Sequence, residues 1–313
     1  MSLHHVVFGA GQVGTTLAEH LALRGERVRL VTRSSREAIA GVEVLRADAM
    51  DPAAAASAAA GASAIYHCMN PAYSVDAWRT ALPVLQRNLV TAAGRAGARI
   101  VVLENLYPLG DLGGRPATES TPVSPCSAKG RIRAELFDGW MAAHARGDAA
   151  VVVGRGSDFF GPRGTQTMFE GRFWTRVLAG RSAQLLVPPD LPHTYHYIPD
   201  VAAGLATLGT ASDVLGRQWM LPCAPAVTTR ELIVLIGRAL GRDVAVSVMP
   251  RPVVSVARLF VPILRELDEM RYQWAVPFVV DDGQFQARFA QPATPLETAA
   301  RETVDWARKT FST

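Results

Sequence analysis

The stretch Val6-Val7-Phe8-Gly9-Ala10-Gly11-Gln12-Val13-Gly14 decides the fold. A short apolar run, preceded by Leu3-His4-His5, reads as a buried strand, and glycines follow at once with the spacing G-x-G-x-x-G. From Thr15 to Arg24 the apolar residues Leu17, Ala18, Leu21 and Ala22 recur at helical spacing, and Gly25 ends the run. Strand, glycine turn and helix in that order form a site for a diphosphate. Gly9 permits the tight turn, Gly11 leaves the backbone open to a ligand, and Gly14 lets helix and strand approach. The amino end of the helix, with Gln12 and Val13, offers free N–H groups and a positive dipole.

Working outward, strands are predicted at 28–31, 42–45, 64–68, 99–103 and 149–153, with helices at 52–60, 77–97 and 129–145. Alternating strands and helices require parallel pairing with right-handed crossovers. The expected fold is α/β, a doubly wound parallel sheet of the Rossmann type. After Gly161-Pro162 the rhythm changes to a helical, aromatic and then proline-rich stretch. A strand at 196–198 is expected to return to the sheet. The division that follows is a dinucleotide-binding domain at 1–161 with a return segment at about 194–223. A smaller substrate lobe then comprises 162–193 and 224–313.

The second strand runs into Thr32-Arg33-Ser34-Ser35-Arg36. A site for NAD usually carries an acidic residue there, to bind the ribose 2′-hydroxyl. Thr32 stands in its place, and two arginines follow. A guanidinium fork suits a 2′-phosphate, so NADP is favoured over NAD, with Arg33 first and Arg36 second. Asp48, past the third strand, is placed to accept from the adenine amino group, or to cap a helix. Met69, after the fourth strand, is a further cofactor contact.

Composition narrows the rest. The chain has 313 residues, 49% hydrophobic and 19% charged, which supports a large core and excludes disorder. The net charge of +4 comes from 30 Arg and only 2 Lys, spread without a block, so no nucleic-acid partner is expected. Three cysteines without C-x-x-C spacing point to neither disulfides nor zinc, and to a reducing, cytoplasmic setting. No leader is seen, and Val253–Leu264 is too short and interrupted to span a bilayer. His193-x-x-His196 supplies too few ligands for a metal.

The glycine turn, Ala47-Asp48, Arg155-Gly-Ser-Asp-Phe-Phe-Gly-Pro162 and Tyr197-Ile-Pro-Asp200-Val together resemble the extended short-chain dehydrogenase/reductases. Most similar is the NAD-dependent epimerase/dehydratase-like branch. This chain resembles an atypical member, one residue shorter in the glycine turn than the branch's usual G-x-x-G-x-x-G. The resemblance implies an NAD(P)-dependent oxidoreductase or epimerase, and a homodimer. It also implies a Tyr-x-x-x-Lys pair, one helical turn apart, that exchanges a proton with the substrate. Here Ser124-Pro-Cys126-Ser-Ala-Lys129-Gly130 puts Cys126 at the Tyr position and Gly130 at the Lys position. Asn105 falls near the family's substrate-binding Ser. Three readings stay open. Tyr107 supplies the phenol, with Lys129 on the ribose; a lobe residue such as His193, Tyr195 or Tyr197 closes over the site; or the protein binds the dinucleotide as a sensor without turnover. Tyr73, Trp78, Phe160, Asp158 and further aromatics line the expected pocket. Such a lining suits a small, fairly apolar carbonyl or imine held for hydride transfer from NADPH. An epimerase or dehydratase that reoxidises its own cofactor is the enzymatic alternative.

Overall fold

The structure is a computed structural model that describes residues 4–34 and 36–312. Strand β1 (His4–Phe8) runs into helix α1 (Gln12–Leu23), followed by β2 (Arg27–Thr32) and β3 (Val42–Arg46). Then come α2 (Pro52–Ala58), β4 (Ala64–His67), α3 (Val75–Ala96), β5 (Arg99–Glu104), α4 (Ala128–Ala145) and β6 (Ala150–Arg155). These strands pair in parallel in the order β6-β5-β4-β1-β2-β3, so the chain reverses direction across the sheet between β1 and β4. Ligands of open α/β sheets bind at the carboxyl ends of the strands beside such a reversal.

The alternation of side chains along each strand builds two cores. Val6 and Phe8 of β1 pack with Trp78, Leu82, Leu89 and Trp140 of α3 and α4 on one face. Val7 points the other way and packs with Val13, Leu17 and Leu21 of α1. A third core lies outside the sheet, around Phe160, Phe169, Trp174, Leu232, Ile236 and Val304.

Helix α1 begins at Gln12, inside the glycine run and ahead of the apolar period that starts at Thr15. The helical, aromatic stretch after Gly161 resolves into one helix, α5 (Gly171–Leu178), between loops, with β7 (Asp158–Phe160) before it. The strand expected to rejoin the sheet at 196–198 does not do so. After β8 (Ala183–Leu185) and β9 (Pro192–His193), β10 (Tyr195–Tyr197) pairs in parallel with β7, in a two-stranded ladder of its own. Ile198 instead opens helix α6 (Ile198–Thr210), with Pro199 in its first turn, where a missing N–H is harmless. The strand that does extend the sheet is β11 (Gln218–Met220), parallel to β6.

The remainder contains β12 (Val227–Thr228), α7 (Thr229–Leu240), β13 (Val246–Val248), α8 (Arg251–Ala257), α9 (Pro262–Asp268), α10 (Gly283–Phe289) and α11 (Leu296–Phe311). Among the described residues, no helix is long and apolar enough to cross a membrane.

Candidate functional site

The glycines divide their labour as the spacing predicts. Gly9 sits at φ +109°, and a Cβ there would meet the Cys68–Met69 backbone at 2.8 Å. At Gly14 a Cβ would lie 1.9 Å from the Gly9 carbonyl oxygen, so helix and turn touch with no room for a methyl group. Gly11 is the opposite case: a Cβ would meet nothing within 4 Å. That side of the turn is open, and Gly11 caps α1 without a side chain, leaving its first N–H groups free of any cap. The first turn of α1 carries no acidic residue. An open, uncapped, uncharged helix amino end fits a pyrophosphate.

Around it, Arg33, Arg36 and Asp48 are exposed. The Arg36 guanidinium donates to the Ala10 carbonyl, which brings it to the glycine turn. Arg33 accepts from the Arg46 side chain through its carbonyl, at 3.1 Å. Asp48 caps the Met50 N–H at 2.9 Å. Met69 packs half-buried beside the core of α3. The Gln12 side chain accepts from the Gln166 N–H at 3.1 Å, and Glu19 holds Arg163 through two hydrogen bonds, at 3.0 and 2.7 Å. Helix α1 is thereby tied to the loop that leads into the third core.

Beyond the carboxyl ends of β4 and β5, Tyr73 and Tyr107 share a hydroxyl hydrogen bond of 3.0 Å. Tyr107 stacks on Trp78 at 6.1 Å between ring centroids, and Tyr73 meets Trp78 edge-on at 5.4 Å. Asn105 accepts from the Tyr107 N–H at 3.1 Å, so it shapes the loop that presents Tyr107. Burial holds both phenols above their ordinary range, and the nearby charge of Asp158 pushes the same way. In the family pattern a lysine lowers the phenol instead, so Tyr107 stays protonated as a hydrogen-bond donor.

Lys129 is fully buried, with its ammonium 4.7 Å from the centre of the Tyr73 ring. Expected on the ribose, it is held instead by two carboxylates. It pairs with Glu266 and, at 2.7 Å, with Glu269. The same carboxylates cap two helices: Glu266 accepts from the Val75 N–H of α3 at 3.2 Å and Glu269 from the Ala128 N–H of α4 at 3.0 Å. Negative charge at a helix amino end is stabilised by the dipole, so this segment is strapped across the cleft at three points.

An Asp–His pair lies near the phenols. His193 Nε2 and Asp158 Oδ2 are 2.7 Å apart, and the His193 ring lies flat on Trp274 at 3.8 Å. His196 is a core residue: its Nδ1 accepts from the Ser157 N–H at 3.0 Å and its Nε2 faces the Leu221 carbonyl at 3.2 Å. That fixes the neutral tautomer, and burial lowers its pKa to about 4.

Phe160 and Tyr197, expected in the pocket, both lie in the third core. The Tyr197 hydroxyl donates to Glu302, because β10 turns away from the sheet towards α11. Tyr195 is likewise occupied, on Thr229 at 2.7 Å. Cys126 is exposed ahead of α4, while the neighbouring Ser127 caps that helix through the Gly130 N–H at 3.0 Å.

Several residues of the cleft escaped the sequence reading. Buried Glu104 pairs with Arg133 at 3.1 Å, Arg133 lies over Trp78 at 4.3 Å, and Asn70 accepts from Arg133 at 2.7 Å. Glu266, Glu269 and Trp274 approach from far along the chain. The signal that could have found Arg133 is its place one turn after Lys129 on the same helix.

A parallel sheet with an open glycine turn at its reversal point, and phenols and an Asp–His pair near the next strand ends, is an architecture of the Rossmann class. The sequence profile of the NAD dependent epimerase/dehydratase family matches residues 6–219, and the chain belongs to that family. Among solved structures it is similar to UDP-glucuronic acid 4-epimerase from Bacillus cereus in complex with NAD. The TM-score is 0.78 at 14% identity, over 99% of this chain and 100% of that one. The Bordetella bronchiseptica enzyme WbmH in complex with NAD+ gives 0.75 at 18% identity, over 99% of each chain. A nucleoside-diphosphate-sugar epimerase from Pseudomonas aeruginosa gives 0.75 at 17%, also over 99% of each. At such identities the likeness establishes a shared fold. Among curated proteins, none matches this sequence.

Proposed function

We propose that this protein is an NADP-dependent oxidoreductase that passes hydride between the nicotinamide and a small, fairly apolar carbonyl or imine. The observation that carries the reading is the open space at Gly11 beside the uncapped start of α1. Residues 1–161 and 194–223 would hold the dinucleotide, and 162–193 with 224–313 would cover the substrate. Thr32, Arg33 and Arg36 support a 2′-phosphate: no carboxylate ends β2, and Arg36 already reaches the turn. Bound there, the cofactor supplies the hydride. The protein's own part is to orient and to move a proton. Tyr73 and Tyr107 present an aromatic wall and one hydrogen-bonded hydroxyl pair to a substrate oxygen or nitrogen. His193, oriented by Asp158, stands ready to exchange the proton that the raised phenols hold too tightly. Asn105 supports the loop of Tyr107, and Lys129 enters the site when its carboxylates let go.

Family membership favours one alternative, an epimerase or dehydratase that keeps its cofactor. The experiment is to mix purified protein with NADPH and a panel of carbonyls and imines and follow absorbance at the nicotinamide band. Net oxidation of NADPH, reduced at least ten-fold in Asp158→Asn or Tyr107→Phe, supports the oxidoreductase. Substrate isomerisation with no net oxidation would replace it by the epimerase, and tight binding without turnover by a sensor. The family resemblance also leads us to expect a homodimer through α3 and α4, which sedimentation velocity would test.

A further inference from the structure

The surface outside the strap is unlike the rest of the molecule. Of the large apolar side chains exposed among the described residues, Val253, Val256, Leu259, Phe260, Val261, Ile263 and Leu267 lie within α8, α9 and their connection. They cluster along the two short helices and the turn that joins them. The most exposed are at the turn between the helices: Phe260 at 80% and Leu259 at 67%.

Glu266 and Glu269 turn inward to Lys129, while Asp268, partly exposed, holds Arg258 at 2.9 Å and Arg271 at 3.2 Å. Arg251 and Arg265 are exposed among these apolar side chains. The outward face is therefore apolar and cationic. A second copy would repeat the same arginine-bearing patch on both sides of a two-fold axis. An apolar tip rimmed by guanidinium groups complements an anionic lipid surface, where apolar side chains enter the headgroup boundary and arginines meet phosphates.

We propose that the α8–α9 hairpin rests on an anionic bilayer, with Leu259 and Phe260 in the headgroup boundary and Arg251 and Arg265 on lipid phosphates. Lying on a bilayer asks for no spanning helix. The hairpin also carries the carboxylates that grip Lys129, so the lipid contact and the strap are one element.

Co-sedimentation with vesicles tests this directly. One set is phosphatidylcholine alone, and the other is an equal mixture with phosphatidylglycerol. The whole chain should pellet with the mixed vesicles, less so as salt is raised, and weakly with phosphatidylcholine alone. Leu259→Ser with Phe260→Ser should abolish uptake while leaving the thermal melt unchanged, since both side chains already face solvent. Each of Arg251→Gln and Arg265→Gln should weaken uptake about five-fold. The proposal is overturned if the wild-type chain stays in the supernatant of mixed vesicles. It is also overturned if the serine variant pellets like the wild type. Self-association without vesicle uptake, abolished by the same serines, would assign the patch to a second copy and overturn it too. Vesicle uptake can fail while NADPH still turns over, so the two proposals stand or fall separately.

Discussion

Gly11→Val separates a glycine kept for the fold from one kept for a ligand. Gly11 has φ −82° and ψ −165°, a backbone that valine adopts freely, and its Cβ would meet nothing within 4 Å. Placing valine at a helix cap where glycine stood costs less than about 1 kcal/mol, which lowers the melting temperature by no more than about 3 °C for a chain of this size. The isopropyl group would fill the path of the pyrophosphate. Losing two charge-assisted hydrogen bonds at about 1.5 kcal/mol each weakens binding by about 100-fold. Gly14→Ala is the contrast. Its methyl would sit 1.9 Å from the Gly9 carbonyl oxygen, which must move with the whole turn. That costs about 3 kcal/mol, a fall of roughly 5 °C for a chain of this size. Calorimetric titration with NADPH and NADH, run beside thermal melts, gives both numbers. If Gly11→Val binds dinucleotide like the wild type, the pyrophosphate does not cross this turn. If the wild type takes up neither dinucleotide, the functional reading fails at its base.

Other perturbations address separate parts of the molecule. NADPH should bind more tightly than NADH, and Arg33→Ala with Arg36→Ala should narrow the gap at least ten-fold; equal affinities in the wild type would withdraw the preference. Glu266→Gln with Glu269→Gln leaves the buried Lys129 ammonium without a counter-charge. A loss of about 2–3 kcal/mol in urea unfolding is expected, at the low end for buried pairs because both carboxylates are partly wet; an unchanged midpoint would show that the strap does not hold. His67 and His196 are buried neutral, with pKa values lowered to about 3 and about 4 by desolvation. The unfolded chain therefore binds protons that the folded one refuses. Stability should fall as pH drops from about 6.5 towards 4, by roughly 1.4 kcal/mol per unit for each histidine. A flat urea midpoint between pH 7 and 5 would contradict this. Burial raises the Cys68 thiol to about 12 and raises Cys223 as well, whereas Cys126 is exposed. A thiol reagent should consume one cysteine quickly in the native protein, and none in Cys126→Ser.

The first part of the fold was legible because its signals are local. Strand β1, the glycine turn and α1 are contiguous, and each later strand up to β6 is an apolar run between turn residues. The misreading at 196–198 came from taking His196-Tyr197-Ile198 as a strand of the main sheet, when Tyr195–Tyr197 pairs only with β7 and Ile198-Pro199 begins a helix. Strand β11, only three residues long at Gln218–Met220, has too little pattern to announce itself. The site was legible where one motif carried it, and opaque where the partner lies far along the chain. His193 stands 35 residues from Asp158, and Lys129 is 137 and 140 residues from its carboxylates. No periodicity links such positions. The strap that occupies Lys129 could not be foreseen from the helix it sits on.

Gln12 and Glu19 both stand on α1 and both reach the loop at 163–166. Were a dinucleotide bound at the start of that helix to shift Gln12 or Glu19, the loop would feel it through these side chains. By reciprocity, a force that pulls the loop away must loosen the dinucleotide by the same free energy with which the dinucleotide steadies the loop. Opening of the lobe and residence of the coenzyme would then share a single equilibrium, and a protease site engineered into the loop would sense one through the other.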